Sequence, residues 1–480
     1  MTEPRFPRVA ALKTAQQFRQ HLASEQIPLE FDDTLDSGAS APLAQPLEAV
    51  GMRAGNRFCV LPMEGWDGTT DGRPSDLTIR RWRHFGQSGA KLVWGGEAVA
   101  VCPEGRANPN QLVLSDETQS TIEGMRETLV AAHEASFGAG SSRDLLVGLQ
   151  LTHSGRFARP TSAGPQPLVA YRHPVLDKRY PGGVHRLSDR DLDSLVVQFI
   201  YTARLARDIG FDFVDIKHCH GYLLHELLSA RSRDGAYGGD LEHRTRFLRD
   251  AIDGIRIEAK GLGIGVRLSV FDSVPYRKCE SGRGEPEVAS AGYEHAFGLL
   301  DGDRMEAALD EARQVIAMLR ERNVRWICVT AGSPYYCPHV QRPAAFPPSD
   351  GYEPPEDPLR GVWRQIDATA RLKTEFADML FVGSGYTYLQ EWLPHVGQYN
   401  VRTGRTDSVG LGRAMLSYPR LAADVLEGKP LARKSICRTF SDCTTGPRIG
   451  LVSGCYPLDD FYGEHPHAEK LKVYKAEARS

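Results

Sequence analysis

The chain has 480 residues, enough for one large domain or two ordinary ones, and its 41% apolar and 25% charged content is that of a soluble globular protein. A net charge of −3 gives no electrostatic basis for binding nucleic acid or an anionic membrane surface, and no run approaches the ~18 apolar residues of a membrane span. The N-terminal MTEPRFPRVAALKTAQQFRQ has no apolar signal core, which predicts a cytoplasmic protein, and nine scattered cysteines do not suggest a disulfide framework.

After an N-terminal arm over residues 1–45, short β-rich runs alternate with helical patterns. Strands are predicted at 56–63 (NRFCVLPM), 90–98 (AKLVWGGEA), 145–153 (LLVGLQLTH) and 211–218 (FDFVDIKH). Four more follow at 263–270 (GIGVRLSV), 324–332 (VRWICVTAG), 377–385 (ADMLFVGSG) and 407–412 (DSVGLG). The clearest helix precedes the fourth strand. There Ser188 and Asp191 form an S-x-x-D cap, and Leu192, Leu195, Val196, Phe199 and Ile200 make one apolar face.

Eight βα units predict an α/β fold, a (β/α)8 TIM barrel over residues 46–430, with the N-terminal extension before it and a cysteine-bearing tail over 431–480. The longest connections, 158–184, 272–304 and 335–358, all follow strands and so belong to the C-terminal face, where barrel active sites are built. A doubly wound open sheet is the rival, disfavoured because no glycine fingerprint follows the first strand. At the end of the fourth strand, FDFVDIKHCHGYLLHELLSA crowds Lys217, His218, Cys219, His220, Tyr222 and His225 together, titratable groups where chemistry is expected.

The strand-end motifs, in order, are NRFCVLPM, GGEA, LQLTHSGR, HGYLLHELLSA, GVRLS, YGGDLEHRTRF, FVGSG and GLGR. Together they resemble the Old Yellow Enzyme family of FMN-dependent oxidoreductases, over about residues 46–426. The resemblance implies FMN as cofactor and NADH or NADPH as reductant. It assigns backbone contacts with the flavin ring to Pro62, Met63 and Gly96, and the pyrimidine edge to Gln150. Gly383, Ser384, Gly385, Gly412 and Arg413 would cradle the phosphate: glycines permit close backbone approach, and Arg413 adds charge. Arg267, on an otherwise apolar strand, needs a partner, either the reduced flavin or a barrel carboxylate.

One position departs from the family pattern. The usual pair before Gly-Tyr is His-x-x-His or His-x-x-Asn, and here the first member is Lys217 while His220 fills the second. His218 lies one residue out of register, on the other face. Lys217 could stabilise an oxyanion as an ammonium, act as a base if burial lowers its pKa, or simply pair with a carboxylate such as Glu97 or Asp215. His218 and His225 read as core or supporting histidines. Tyr222 stands where the ene-reductases place a proton donor, although a tyrosine packing on the barrel rim is the alternative. Glu64, Asp67, Asp71, Glu97 and Glu104, with Trp66, suggest an acidic and aromatic rim suited to a polar substrate. The proline-rich 335–358 segment reads as a lid presenting Tyr335, Tyr336 or His339.

The tail resembles the four-cysteine iron–sulfur motif of the family branch containing trimethylamine dehydrogenase and 2,4-dienoyl-CoA reductase. Cys437, Cys443 and Cys455 match, but Phe440 occupies the second position. Three thiolates could hold an iron–sulfur cluster, or the cluster could be lost with its fold retained. The branch's further nucleotide-binding domain is expected to be missing. The function expected is NAD(P)H-dependent reduction of a carbonyl-conjugated alkene, with Tyr222, His220 and Lys217 acting on a small-molecule substrate. Oxidation of a polar amine or alcohol with electrons passed to a carrier is the alternative, and a non-redox flavin-binding protein is a third. Family habit suggests a homo-oligomer.

Overall fold

The computed structural model describes residues 6–477. The eight predicted strands are β1 (Phe58–Val60), β2 (Leu92–Val93), β3 (Leu146–Thr152), β4 (Phe213–Ile216), β5 (Gly263–Ser269), β6 (Trp326–Thr330), β7 (Leu380–Gly383) and β8 (Ser408–Leu411). They hydrogen-bond in parallel in the order β2-β1-β8-β7-β6-β5-β4-β3. β2 pairs back onto β3 through Leu92–Leu146 and Val93–Val147, which closes the barrel. The second strand differs from expectation by breaking after Val93 and resuming as Ala98–Ala100 against Gln150–Thr152. Gly95 lies in the break because the chain runs against β3: a Cβ there would meet the Gln150 backbone N at 2.9 Å.

The helices between strands are α1 (Asp76–Gly86), α2 (Gln119–Phe137), α3 (Asp189–Asp208), α4 (Arg246–Glu258), α5 (Asp310–Glu321), α6 (Pro358–Glu375) and α7 (Leu393–Arg402), with α8 (Leu421–Leu426) after β8. α3 starts at the predicted cap, where Ser188 Oγ accepts from the Asp191 N–H at 3.2 Å and Asp191 Oδ2 accepts from the Ser188 N–H at 2.8 Å. Leu192, Leu195, Val196 and Phe199 then bury against the sheet. Each such side chain contributes roughly 1.5–3 kcal/mol.

The two ends of the barrel serve different purposes. Its interior is filled by Cys59, Trp94, Phe213, Trp326 and Cys328, and a hairpin pairing Leu47–Ala49 with Met52–Ala54 plugs the N-terminal end, where Trp326 Nε1 donates to the Ala49 carbonyl at 3.1 Å. The N-terminal arm packs on the outside: Phe18 stacks on Trp392 with centroids 4.9 Å apart. Across the C-terminal end lies the tail, with its own small core of Leu451, Tyr456, Tyr462, Ala468 and Leu471. A bidentate Arg80–Asp459 pair at 2.8 and 2.9 Å pins it to α1. It is also tied to the 335–358 segment, since Ser441 Oγ donates to the Phe346 carbonyl at 2.6 Å and the Ser349 N–H donates to Thr445 Oγ1 at 3.2 Å. Among the described residues no helix is long and apolar enough to cross a membrane.

Candidate active site

A cavity of about 280 Å³ opens at the C-terminal ends of the strands. Its wall gathers Pro62, Met63, Glu64, Trp66, Gln150, Lys217, His220, Tyr222, Arg267, Tyr335, Ser384, Gly385, Gly412, Arg413 and Cys443. Several expected residues are not in the wall. Gly96 sits behind it and accepts the Met63 N–H at 3.2 Å. Gly383 lies one step down β7. His339 is turned into the lid, its Nδ1 2.7 Å from the Tyr352 hydroxyl and its ring edge-on to Tyr276. Tyr336 is likewise occupied, donating to Asp272 at 2.6 Å.

One end of the cavity is built for an anion. Gly385 turns out of β7 at φ +92°, and a Cβ on Gly412 would meet only Thr387 Oγ1, at 4.0 Å. Arg413 and Arg342 each have a buried Nη without a hydrogen-bond partner, and so does the Ser384 hydroxyl. Arg413 donates only to the Pro343 carbonyl at 3.1 Å, and Arg342 to Thr444 Oγ1 of the tail at 2.6 Å. Burial and the guanidiniums of Arg448 and Arg413 push Arg342 down to about 9. Two half-buried cations without a carboxylate are costly unless an anion completes them, and guanidinium geometry suits a phosphate.

The opposite end suits a polar heterocycle. Arg267 has a buried, unpartnered Nε and reaches only the Pro62 carbonyl, at 3.4 Å. The alternative partner, a barrel carboxylate, forms no ion pair with it. Asp215 instead accepts the Arg267 backbone N–H and the Gln150 Nε2, each at 2.6 Å, while burial pushes its own pKa up to about 6. Held this way, Gln150 keeps its carbonyl oxygen as an acceptor. A guanidinium, an amide and a phosphate cradle on one wall fit a flavin mononucleotide.

Between these ends stand the groups that follow β4. His220 and Gly221 both take positive φ, +67° and +78°. The turn is held by the Gly221 N–H on His225 Nδ1 (2.9 Å), by the His220 N–H on Ser269 Oγ (3.1 Å) and by Ser333 Oγ on the His220 carbonyl (2.8 Å). His225 is therefore the supporting residue it was expected to be, and His218 is buried with Nδ1 3.1 Å from the Ile216 carbonyl. His220 Nε2 lies 3.2 Å from Thr330 Oγ1 and 3.1 Å from Gln341 Nε2. Burial, with Arg267 and Lys217 nearby, holds its pKa well below the usual imidazole range, so it is neutral.

Lys217 pairs with neither Glu97 nor Asp215. Its Nζ lies 3.8 Å from the Tyr222 ring centroid and 4.0 Å from Glu64 Oε2; burial lowers its pKa, opposed by Glu64. The Tyr222 hydroxyl donates to Glu64 at 2.6 Å and lies 2.8 Å from the Tyr335 hydroxyl, and Tyr335 stacks on Phe157 with centroids 3.9 Å apart. The acidic rim contracts to Glu64 alone. Arg81 takes both Asp67 and Glu97, Asp71 is exposed beside Arg73, and Glu104 is exposed.

The tail does not assemble a metal centre: among the described residues no group of three His, Cys, Asp or Glu side chains is placed to hold a metal ion. Phe440, at the second position of the motif, packs on Phe346 with centroids 5.4 Å apart. Cys455 is buried, its thiol pKa raised first by desolvation and then by Cys443 and Cys437. Those residues therefore fit no iron–sulfur cluster. Instead Cys443, Thr444, Pro447, Arg448 and Ser453 wall the cavity, and Ser453 Oγ accepts the Trp66 N–H at 3.0 Å. Sequence reasoning missed Thr330, Gln341, Arg342, Arg448 and Ser453, because each reaches the cavity from a segment with no motif of its own; the one available signal was the cation in QRP at 341–343.

The family model for the NADH:flavin oxidoreductase / NADH oxidase family matches residues 42–316, more than half of the chain. The chain belongs to that family. It is similar to an NADPH dehydrogenase of Geobacillus thermodenitrificans, 32% identical over 244 residues, and to one of Halalkalibacterium halodurans, 32% identical over 212 residues. These matches cover 48% and 43% of this family member and 64% and 57% of the relatives, less than two thirds of either. Among solved structures, a 2-naphthoyl-CoA reductase complex aligns with TM-score 0.63 at 18% identity, over 88% of this chain and 57% of that one. The Old Yellow Enzyme homologue from Zymomonas mobilis aligns with TM-score 0.55 at 20% identity, over 81% and 94%. These likenesses describe a shared barrel fold.

Proposed function

We propose that the protein is an FMN-dependent oxidoreductase that takes reducing equivalents from NADH or NADPH and reduces a carbonyl-conjugated alkene. The observation that carries this reading is one wall. Lys217, His220 and Tyr222 line the same cavity as Arg267, Ser384 and Arg413, each of which keeps a buried polar atom without a partner, so a small substrate held by the first set lies against whatever completes the second. Arg267 and Gln150 would hold the flavin's pyrimidine side, and Ser384, Gly385, Gly412, Arg413 and Arg342 its phosphate. When bound, the flavin supplies a two-electron store that accepts a hydride and passes it on.

This chain's own residues provide the rest. Neutral His220 and the Lys217 side chain converge on one side of the site, where they can hold a carbonyl oxygen and oppose the charge that develops on it. Tyr222 offers a proton from its hydroxyl. Trp66, Tyr335 and the tail cover the mouth, where excluding water strengthens each of these contacts. A second reading, oxidation of a polar amine or alcohol with electrons passed to a carrier, is favoured by one contact: the Tyr222 proton is aimed at Glu64, the arrangement of a base rather than an acid. To test between them, purified holoenzyme is offered NADPH with a panel of enones, and separately a panel of amines and alcohols with an artificial acceptor. Saturated ketone as product supports the first reading; substrate oxidation without any enone turnover replaces it with the second.

A further inference from the structure

Tyr222 has one proton and two neighbours for it. Its hydroxyl lies 2.6 Å from Glu64 Oε2 and 2.8 Å from the Tyr335 hydroxyl. A carboxylate can only accept, so while Glu64 is ionised the Tyr222 proton stays in that bond and none is left to give to a substrate. A protonated Glu64 reverses the bond: the acid donates to the phenol oxygen, and the Tyr222 proton is free to point into the cavity. We propose that Glu64 is a proton-relay residue for Tyr222, loading the phenol with a donatable proton when protonated and holding that proton in their shared hydrogen bond when ionised.

The inference rests on the reductive reading above. In that direction a C–H bond forms at the substrate α-carbon as the Tyr222 O–H breaks, the electron pair having entered with the hydride that originates in NADH or NADPH. The resulting phenolate takes a proton from the Glu64 carboxylic acid, and the Glu64 carboxylate is then reprotonated by hydronium or buffer acid reaching the cavity mouth, so that the proton added to carbon comes from the medium. The surroundings suit this exchange. Desolvation raises the Glu64 pKa above its ordinary value, opposed by the Lys217 charge and by hydrogen bonds from Tyr222 and Asn108. Lys217 Nζ, 3.8 Å from the Tyr222 ring centroid, stands ready to offset the phenolate's charge. Arg81, the nearest cation from α1, is already engaged by Asp67 and Glu97. Protonated Glu64 is the competent form, so alkene reduction should slow as pH rises through its ionisation.

The test is anaerobic stopped-flow reoxidation of the NADPH-reduced holoenzyme from pH 5 to 9, with 2-cyclohexenone and with menadione, a quinone that needs no proton on carbon. For the wild type, cyclohexenone reoxidation should fall with rising pH through one ionisation. In Glu64→Gln that limb should disappear and the rate drop at least tenfold at low pH, while menadione reoxidation stays within twofold. Glu64→Asp, which restores an ionisable carboxyl, should bring the limb back. A Glu64→Gln profile identical to wild type overturns the relay, as does a parallel loss with menadione. A wild type reoxidised by menadione but by no alkene removes the reductive reading, and the relay with it.

Discussion

Lys217 places an ammonium group in a wall otherwise made of a neutral imidazole and two phenols, stacked on Tyr222 and within reach of Glu64. If it opposes charge on a substrate oxygen, Lys217→Met should keep the flavin and lower alkene turnover on the order of 100-fold, with Lys217→His intermediate. Unchanged steady-state kinetics in both variants would reduce Lys217 to a packing role. Arg342 lines the same cavity. Its orphaned Nη and its neighbour Arg413 face one end of the cavity, so Arg342→Gln should weaken FMN binding by roughly 10- to 100-fold, the worth of a hydrogen bond to a charged group. Riboflavin, without the phosphate, should bind variant and wild type alike. Fluorescence titration of the apoprotein measures both, and equal weakening for the two ligands contradicts a phosphate role.

At the scale of elements, the turn after β4 does the positioning. His220 and Gly221 both sit at positive φ, and a Cβ on Gly221 would come within 2.9 Å of Ser333 Oγ and of Tyr336. Gly221→Ala should therefore cost about 1–3 kcal/mol, visible as a lower melting temperature, and should also reduce turnover because it moves Tyr222. This turn shows how far the sequence could be read. Register separated Lys217 from His218, because a strand's alternation is a local property, whereas His220, past the end of β4, was picked out by the family pattern alone. The role of His225 depends on a hydrogen bond across the turn, which register does not encode. The rim carboxylates failed for a similar reason. Asp67 and Glu97 lie thirty positions apart and are neutralised by one arginine on α1, a coincidence of tertiary packing that leaves Glu64 alone in the cavity.

At the scale of the whole molecule, eight β-rich runs sufficed to predict a barrel, since eight parallel strands have a closed solution and β2 does pair with β3. The tail was the least legible part. Its cysteine spacing resembles a cluster motif, yet Phe440 packs on Phe346, and the segment contributes wall to the cavity. Protein purified anaerobically should accordingly carry no stoichiometric iron; a brown preparation with several irons per chain would restore the cluster. A flavin cavity whose wall reduces alkenes is tested most directly by the flavin absorbance through two anaerobic half-reactions. The protein should be yellow, bleached by NADPH or NADH and restored by a stoichiometric enone. A colourless protein that FMN does not fill, or a flavin bleached by an amine or alcohol but by neither nicotinamide, would contradict this function.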